Sequence, residues 1–269
     1  PGISGVNLNG GNSQTIQDNH FYQMGDTSCE DAIVLSSGSN VVIQQNLIDQ
    51  TAAIGIDGWN FSGGATISEN SITNSGQNGG SCSGSIENNG IRLYGSNSTI
   101  SSNIIANNGG AGIVITGGNT TGNLISQNEI YSNGGLGIDI DQATTGNPVG
   151  DGITLNDSGD GDAGPNTSIN FPVFNGNPTI SGSTLTVRGW ARPGATIEIF
   201  IADISQGTAT VGDNQFGYTQ DYGEGQTFIG TFIEGSASDA SGATSFYSDT
   251  DGNTDTTNEF EFSFPLLCG

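Results

Sequence analysis

One motif recurs along the first half of the chain and restricts the folds open to it. Its clearest copy is residues 99–115, TISSNIIANNGGAGIVI, where T-I-x-x-N-x-I precedes an Asn/Gly turn and a G-I-x-I strand. The first part recurs at residues 15–21, 42–48, 66–72, 99–105 and 124–130, and the second begins at Ile33, Ile54, Ile91, Ile113 and Ile138. Strands of three or four residues cannot form an independent sheet, so each must stack on its equivalents in neighbouring repeats. The pattern predicts a parallel β-helix of about five to six coils.

Alternation along each strand predicts which side chains enter the core. Ile113 and Ile115 should face inward and Val114 outward. Replacing Ile113 by Ala is therefore expected to destabilise the fold by about 2–5 kcal/mol, whereas replacing Val114 by Thr should do little. Arg92 should also face outward, with Gly55 and Val114 as its neighbours in the adjacent coils.

An asparagine stands at the same bend of every repeat, and Asn103 is one of the set. A side-chain amide offers both donors and an acceptor. Stacked at roughly 4.8 Å per coil, such amides can bond each other and the turn backbone. We interpret them as architecture and not as ligand groups. The equivalent positions are Asn19, Asn46, Asn70, Asn103 and Asn128.

Charge excludes several classes of partner. The 269 residues include 27 acids, three Arg, one His and no Lys, for a net charge of −24. No basic patch can form, which argues against nucleic acid and anionic membrane surfaces. No apolar run approaches the roughly 20 residues that span a bilayer. The composition favours an extracellular or cell-surface setting, and the opening GISGVNL reads as the middle of a repeat, so we expect a larger polypeptide. Homo-oligomerisation is left open.

The cysteines predict one disulfide. Cys29 precedes the Ile33 strand, and Cys82 lies in a long insertion before the Ile91 strand, on the same side of the solenoid. A Cys29–Cys82 bond would hold the insertion to the body, provided that the Cα separation allows it. Cys268 is left over as a free thiol or a residue with a missing partner.

The period changes after residue 141, which predicts three regions: a β-helix over 1–141, an Asp/Gly-rich linker over 142–176 and a β-sandwich over 177–269. The sandwich is expected from longer alternating strands at residues 184–188, 196–201, 227–233 and 259–264.

Two acidic loops are candidate Ca²⁺ sites, because that ion takes six to eight oxygen ligands from flexible, carboxylate-rich loops. The alternative is a solvated polar linker or, for the second loop, an ordinary hairpin turn. The first loop offers Asn156, Asp157, Asp160 and Asp162, and the second offers Asp249, Asp251, Asn253 and Asp255.

Together these segments carry a resemblance. The T-I-x-x-N-x-I / G-I-x-I coils resemble the right-handed parallel β-helix repeats of pectate-lyase-like bacterial surface and secreted proteins. The stretches LTVRGWARPGATIEIFIAD and NEFEFSFPL look like an Ig-like adhesin module, here incomplete at its C-terminal end. The resemblance implies an all-β chain, a right-handed β-helix followed by an Ig-like sandwich. It is specific for fold and weak for function.

Three functions follow from these observations. The favoured one is a non-catalytic, calcium-stabilised structural or adhesive rod. The first alternative is carbohydrate binding by Trp59, Phe61 and Tyr94, which we expect to be exposed; other surface proteins are a further class of partner. A polysaccharide lyase or hydrolase is less favoured, since no Lys is present and Asp57 should lie roughly 14 Å from Asp139, farther apart than inverting hydrolysis requires.

Overall fold

The computed structural model describes residues 4–25, 29–76, 88–141, 152–154, 156, 163–203, 224–248 and 254–266. The first part of the chain consists of short strands. In order they are β1 (Val6–Asn12), β2 (Thr15–Gln17), β3 (His20–Tyr22), β4 (Ile33–Ser39), β5 (Val42–Gln44), β6 (Leu47–Asp49), β7 (Ile56–Gly58), β8 (Thr66–Ser68), β9 (Ser71–Thr73), β10 (Ile91–Tyr94), β11 (Thr99–Ser101), β12 (Ile104–Ala106), β13 (Ile113–Thr116), β14 (Leu124–Ser126), β15 (Glu129–Tyr131) and β16 (Ile138–Asp141).

These strands form three parallel sheets wound as a β-helix. The first sheet runs β1-β4-β7-β10-β13-β16, the second β14-β11-β8-β5-β2 and the third β15-β12-β9-β6-β3. The described residues thus make five three-strand coils and begin a sixth. The parallel pairing of the repeated Ile strands confirms the solenoid prediction.

The T-I-x-x-N-x-I half of the repeat forms two strands on different sheets, separated by a sharp corner. At that corner the residue before the Asn has a left-handed backbone; Ser102, for example, has φ 55°. Such a conformation interrupts strand pairing and is uncommon for non-glycine residues. The Asn that follows it provides the hydrogen bonds that hold the corner.

Those asparagines form a continuous hydrogen-bonded column. The Asn103 side-chain oxygen accepts the backbone N–H of Asn70 at 2.9 Å and the Asn70 amide at 2.9 Å. The Asn103 amide donates in turn to Asn128 at 2.9 Å and to the Ile67 carbonyl at 2.9 Å. The same pattern joins Asn19 to Asn46 and Asn46 to Asn70. The column confirms the architectural interpretation of these residues.

The core lies inside the coils and is almost entirely aliphatic. Ile33, Ile56, Ile91 and Ile113 are fully buried and adjacent in the first sheet. Equivalent Ile residues from the other two sheets complete the interior, among them Ile43, Ile67 and Ile100 in the second and Ile48, Ile72 and Ile105 in the third.

Two details of the first sheet differ from the sequence prediction. Ile91 pairs with Ile56 and not with Ile54, so Arg92 lies opposite Asp57 and not opposite Gly55. A slip of two residues keeps every side chain on its own face, so alternation alone cannot detect it.

Val114 is on the outer face as expected but is fully buried, between Arg92 and Asp139 of the same row. Its replacement by Thr is therefore not a neutral change.

The last part of the described chain is antiparallel. Its strands are β17 (Val173–Phe174), β18 (Thr179–Ser181), β19 (Thr184–Ala191), β20 (Thr196–Asp203), β21 (Glu224–Ile233), β22 (Thr244–Ser248) and β23 (Thr254–Pro265). One sheet has the order β17-β19-β23-β22, with β18 also on β19, and β20 pairs with β21. Phe260 and Phe262 of β23 are buried with Val187, Ile197 and Ile199 in a second core.

The chain divides into two compact units. The described parts of residues 1–153, 163–167 and 200–228 form one, and those of 154–162, 168–199 and 229–269 form the other. The start of β21 is therefore grouped with the solenoid.

We predict that Ile113→Ala lowers the free energy of unfolding by about 2–5 kcal/mol, because it leaves a cavity in a fully buried site. Denaturant melts monitored by circular dichroism measure the change. Leu124→Ala is the matched control, since Leu124 is 56% exposed on the outer face of β14. Equal costs for the two variants would contradict the assignment of the core.

We also predict that Asn103→Ala is more destabilising than Asn19→Ala. Asn103 is fully buried, and its loss removes the acceptor of the Asn70 backbone N–H and one of three acceptors of the Asn70 side-chain amide. Each buried polar group left unpaired costs about 1–3 kcal/mol. Asn19 is exposed at the end of the same column, where water replaces the lost bonds. The same melts compare the two variants, and a larger loss at Asn19 would refute the column as a source of stability.

Candidate functional site

The outer face of the first sheet carries a cluster of ionic and aromatic side chains, which we call the Arg92 cluster: Asp57, Trp59, Arg92 and Tyr94. Parallel pairing of β7 and β10 places Asp57 beside Arg92. Arg92 and Tyr94 are two residues apart on β10 and so share its outer face. The cluster therefore forms only when β7 and β10 pair, because Asp57 and Arg92 are 35 positions apart in sequence.

Arg92 and Asp57 form a two-pronged ion pair. Arg92 Nε donates to Asp57 Oδ1 at 2.9 Å and Nη2 donates to Oδ2 at 2.9 Å. The side chains are 3% and 10% exposed, respectively. The Trp59 backbone N–H donates to Asp57 Oδ1 at 3.1 Å, and the Trp59 ring lies 5.3 Å from the guanidinium carbon. Parallel N–H···O bonds of this kind fix both direction and distance.

This geometry limits the chemistry of Arg92. A guanidinium keeps its proton under all ordinary conditions, and this one is already paired with a carboxylate and covered by an indole ring. Acting on a substrate would require the pair to open in a buried position, which leaves a charge uncompensated. The arrangement is suited to holding Trp59 in place rather than to proton transfer.

Trp59 and Tyr94 form an aromatic pair above this ion pair. Their ring centroids are 6.3 Å apart in an edge-on arrangement, and Tyr94 is 42% exposed. The ring of Tyr94 lies over Gly117, where a Cβ would come within 2.6 Å of it. Glycine at this position, with φ 98°, therefore makes room for the tyrosine.

Phe61, the third predicted ligand residue, is not part of this surface. It is fully buried and belongs to the core of the solenoid, so its expected exposure is wrong. An aromatic residue just after a strand reads the same in sequence whether it faces solvent or the interior. The surface available to a ligand is reduced to Trp59 and Tyr94.

Two further carboxylates lie at the other end of the same outer face. Asp139 and Asp141 are both on β16, at positions paired with Val114 and Thr116, and both are buried. Asp139 Oδ2 accepts the Gly152 backbone N–H at 3.1 Å. Three pairings separate Asp57 from Asp139, which corresponds to roughly 14 Å at the spacing of neighbouring strands.

The predicted calcium ligands fall mostly outside the described residues. This holds for Asp157, Asp160, Asp162, Asp249, Asp251 and Asn253, and for the side chain of Asp255, whose backbone belongs to β23. Asn156 is described: its Oδ1 accepts the Phe171 N–H at 2.9 Å and its Nδ2 donates to the Phe171 carbonyl at 2.9 Å. Its amide is thus engaged with the backbone. Among the described residues no group of three acidic, His or Cys side chains is arranged to hold a metal ion.

Cys29 is disulfide-bonded. Cys82 and Cys268 both lie outside the described residues, so the pairing of Cys29 with Cys82 stays a prediction.

A second ion pair, on the antiparallel sheet, is exposed. Arg188 donates to Glu261 at 2.9 and 3.1 Å. These hydrogen bonds hold the pKa of Glu261 below its ordinary value and raise the pKa of Arg188. The stabilisation is therefore present above the ordinary pKa of a glutamate and is lost as acid protonates the folded carboxylate. Solvent screening keeps it small.

Comparison with known proteins identifies the family to which this chain belongs. The family described as "Right handed beta helix region" matches residues 4–153 and 89–255. The chain therefore belongs to the right-handed β-helix family. No curated protein matches the chain. The part of the chain that the structure describes contains no helix long and apolar enough to cross a membrane.

Sequence reasoning missed Asp57 as the partner of Arg92. The available signal was alternation: Asp57 follows Ile56 as Arg92 follows Ile91. Taking Ile56 instead of Ile54 as the paired position would have placed the two charges side by side.

We predict that Asp57→Ala lowers the free energy of unfolding by about 3–5 kcal/mol, because it leaves the Arg92 charge buried without its partner. The double variant Asp57→Ala, Arg92→Met should recover part of this loss. Glu261→Ala, which breaks the exposed pair, serves as the control and should have a much smaller effect. Denaturant melts give all three values, and a neutral Asp57→Ala would mean that the pair contributes nothing to folding.

Proposed function

We propose that this chain is a non-catalytic structural segment of a large secreted or cell-surface bacterial protein, in which the β-helix serves as a stiff rod. The observation that carries the proposal is the buried Asn column, which joins all five coils by side-chain and backbone hydrogen bonds. A rod of stacked coils transmits force through such bonds along its whole length. The repeated asparagines thus serve to hold neighbouring coils together.

The state of the ionic side chains supports a non-catalytic role. The only arginine of the solenoid is engaged by Asp57, and Asp57 and Asp139 stand three coils apart. A lyase would need an available base, and an inverting hydrolase would need carboxylates about 6.5–9.5 Å apart on opposite sides of the bond. Neither requirement is supported by these residues.

Two features support an extracellular location. Cys29 is disulfide-bonded, as is usual for proteins of oxidising compartments. The net charge of −24 suits a protein that stays soluble outside the cell. In this proposal the antiparallel region is an Ig-like module, and Ca²⁺ bound by the first acidic loop, residues 156–162, stiffens the linker before it.

The second candidate function is carbohydrate binding, which the pairing of Trp59 with Tyr94 favours. Exposed aromatic rings held by a rigid scaffold present flat apolar area against which a sugar ring can stack. The strongly acidic chain makes a neutral glycan a better ligand than an acidic one.

We predict that the wild-type chain generates neither new reducing ends nor unsaturated products from a panel of neutral and acidic polysaccharides. Colorimetric reducing-sugar assays and absorbance of unsaturated uronates measure the two outcomes. Turnover that is lost in Arg92→Ala, with folding retained, would overturn the non-catalytic proposal.

Carbohydrate binding by the aromatic pair is tested by affinity electrophoresis, which measures how strongly the same neutral polysaccharides in the gel retain the wild-type protein and Tyr94→Ala. Tyr22→Ala is the matched control, because Tyr22 is 49% exposed on another sheet. Carbohydrate binding predicts that Tyr94→Ala loses retention by about tenfold, the value of one stacked ring, and that Tyr22→Ala does not. Equal retention of all three proteins would remove the second candidate and leave the structural one intact.

Calcium binding is tested with Asp160→Ala, Asp162→Ala. We expect wild-type melting temperature to rise with added Ca²⁺ and fall in chelator, since an ion that binds only the folded state stabilises it. The double variant should lose this response, whereas Asp18→Ala, an exposed acid of the first coil, should keep it. An unchanged response in the double variant would make the loop a solvated linker and shift attention to residues 249–255.

A further inference from the structure

A second polar column runs through the turns that follow the third sheet, and its members are Ser75, Asn108 and Asn133. The Asn108 side-chain oxygen accepts the Ser75 backbone N–H at 2.9 Å. The Asn133 side-chain oxygen accepts the backbone N–H of Asn108 at 3.1 Å and its amide at 2.9 Å. Each coil thus donates to an oxygen of the next coil. The column has a direction, and its last member needs an acceptor from elsewhere.

Glu224 is that acceptor. Its Oε2 accepts the Asn133 backbone N–H at 2.9 Å, and its Oε1 accepts the Asn133 side-chain amide at 3.0 Å. The two residues are 91 positions apart, and Glu224 is only 3% exposed. Glu224 also lies over Gly137, where a Cβ would come within 3.6 Å of its side chain. The first residue of β21 therefore closes the donor end of the column.

A carboxylate closes this column differently from an amide. Within the column one amide oxygen receives both donors of the preceding coil, whereas Glu224 gives one oxygen to each donor. Protonation converts one of these oxygens into a hydroxyl that faces an N–H donor. The bond made there loses its charge assistance, and the buried donor is left poorly satisfied.

A neighbouring column ends in a group that does not titrate. Ser98 donates its backbone N–H to Asn123 Oδ1 at 3.0 Å, and Asn123 donates its own to Asn166 Oδ1 at 3.0 Å. Asn166 Nδ2 donates back to the Asn123 carbonyl at 2.7 Å. Asn166 has a left-handed backbone within Pro165–Ser168. In the described part of the solenoid unit, one column thus ends at a titratable group and the other at an amide.

We propose that Glu224 is a pH-dependent latch: as a carboxylate it holds the start of β21 to the last coil of the solenoid, and on protonation it lets that segment go. Among the described strands, β15, β16, β20 and β21 contain no Arg, Lys or His. The titratable residues of those strands are Glu129 and Tyr131 on β15, Asp139 and Asp141 on β16, and Glu198 and Asp203 on β20, and Glu234 follows directly after β21.

Amide hydrogen exchange of the whole chain, followed by NMR and corrected for intrinsic exchange at each pH, tests the latch. We expect protection of the Asn133 backbone amide to fall about tenfold or more from neutral to acidic pH, the effect of losing one charge-assisted bond. Asn103 is the control in the same molecule, because its N–H is held by the Asn128 amide oxygen at 3.0 Å. Its protection should not change.

Two variants separate the latch from a merely structural contact. Glu224→Gln should show no pH dependence of protection at Asn133, because the amide that replaces the carboxylate does not titrate. Asn166→Ala should lower protection at Asn123 at every pH and keep the wild-type pH dependence at Asn133. The proposal is overturned if wild-type protection at Asn133 does not depend on pH, if Glu224→Gln keeps the same dependence, or if Asn103 loses protection in parallel with Asn133.

Discussion

The structure of the solenoid depends on one repeated interaction, the hydrogen bond from an asparagine of one coil to the side-chain oxygen of the asparagine in the next. Each three-residue strand is too short to be stable alone, and each corner contains a residue with left-handed backbone. The buried amides offset both costs, because they satisfy the corner backbone and tie neighbouring coils together. A buried amide is stabilising only when its donors and acceptor are all used, which is the case through the middle of the column.

The direction of these columns explains why residues far along the chain return to the solenoid. In each column the backbone N–H of one coil donates to a side-chain oxygen of the next coil, so the last of these N–H groups needs an acceptor from outside the repeat. Asn166 and Glu224 supply oxygens there, 43 and 91 residues from their partners in sequence. The described parts of residues 163–167 and 200–228, which include Asn166 and Glu224, belong to the same compact unit as the solenoid. The end of a stack of identical units requires residues that differ from the repeat.

Two ion pairs of the described chain differ in their exposure to solvent. The chain has 27 acids and three arginines, yet Arg92 is buried against Asp57 under Trp59. Arg188, by contrast, is paired with Glu261 at the surface. The buried pair orders the outer face on which Trp59 and Tyr94 lie, and the exposed pair contributes little to stability. A rigid scaffold with two aromatic residues on one face is compatible with both a structural and a binding role.

The sequence by itself determined the parallel solenoid, the inward Ile residues and the Asn column, because a repeat with period-two alternation has few other ways to bury its apolar residues. Only the tertiary structure decided the pairing of Ile91 with Ile56, and with it the contact of Arg92 with Asp57. A two-residue slip preserves alternation, so packing between coils alone distinguishes the registers. The burial of Phe61 and Val114 and the return of Glu224 were also tertiary outcomes. They depend on contacts between residues that no local pattern connects.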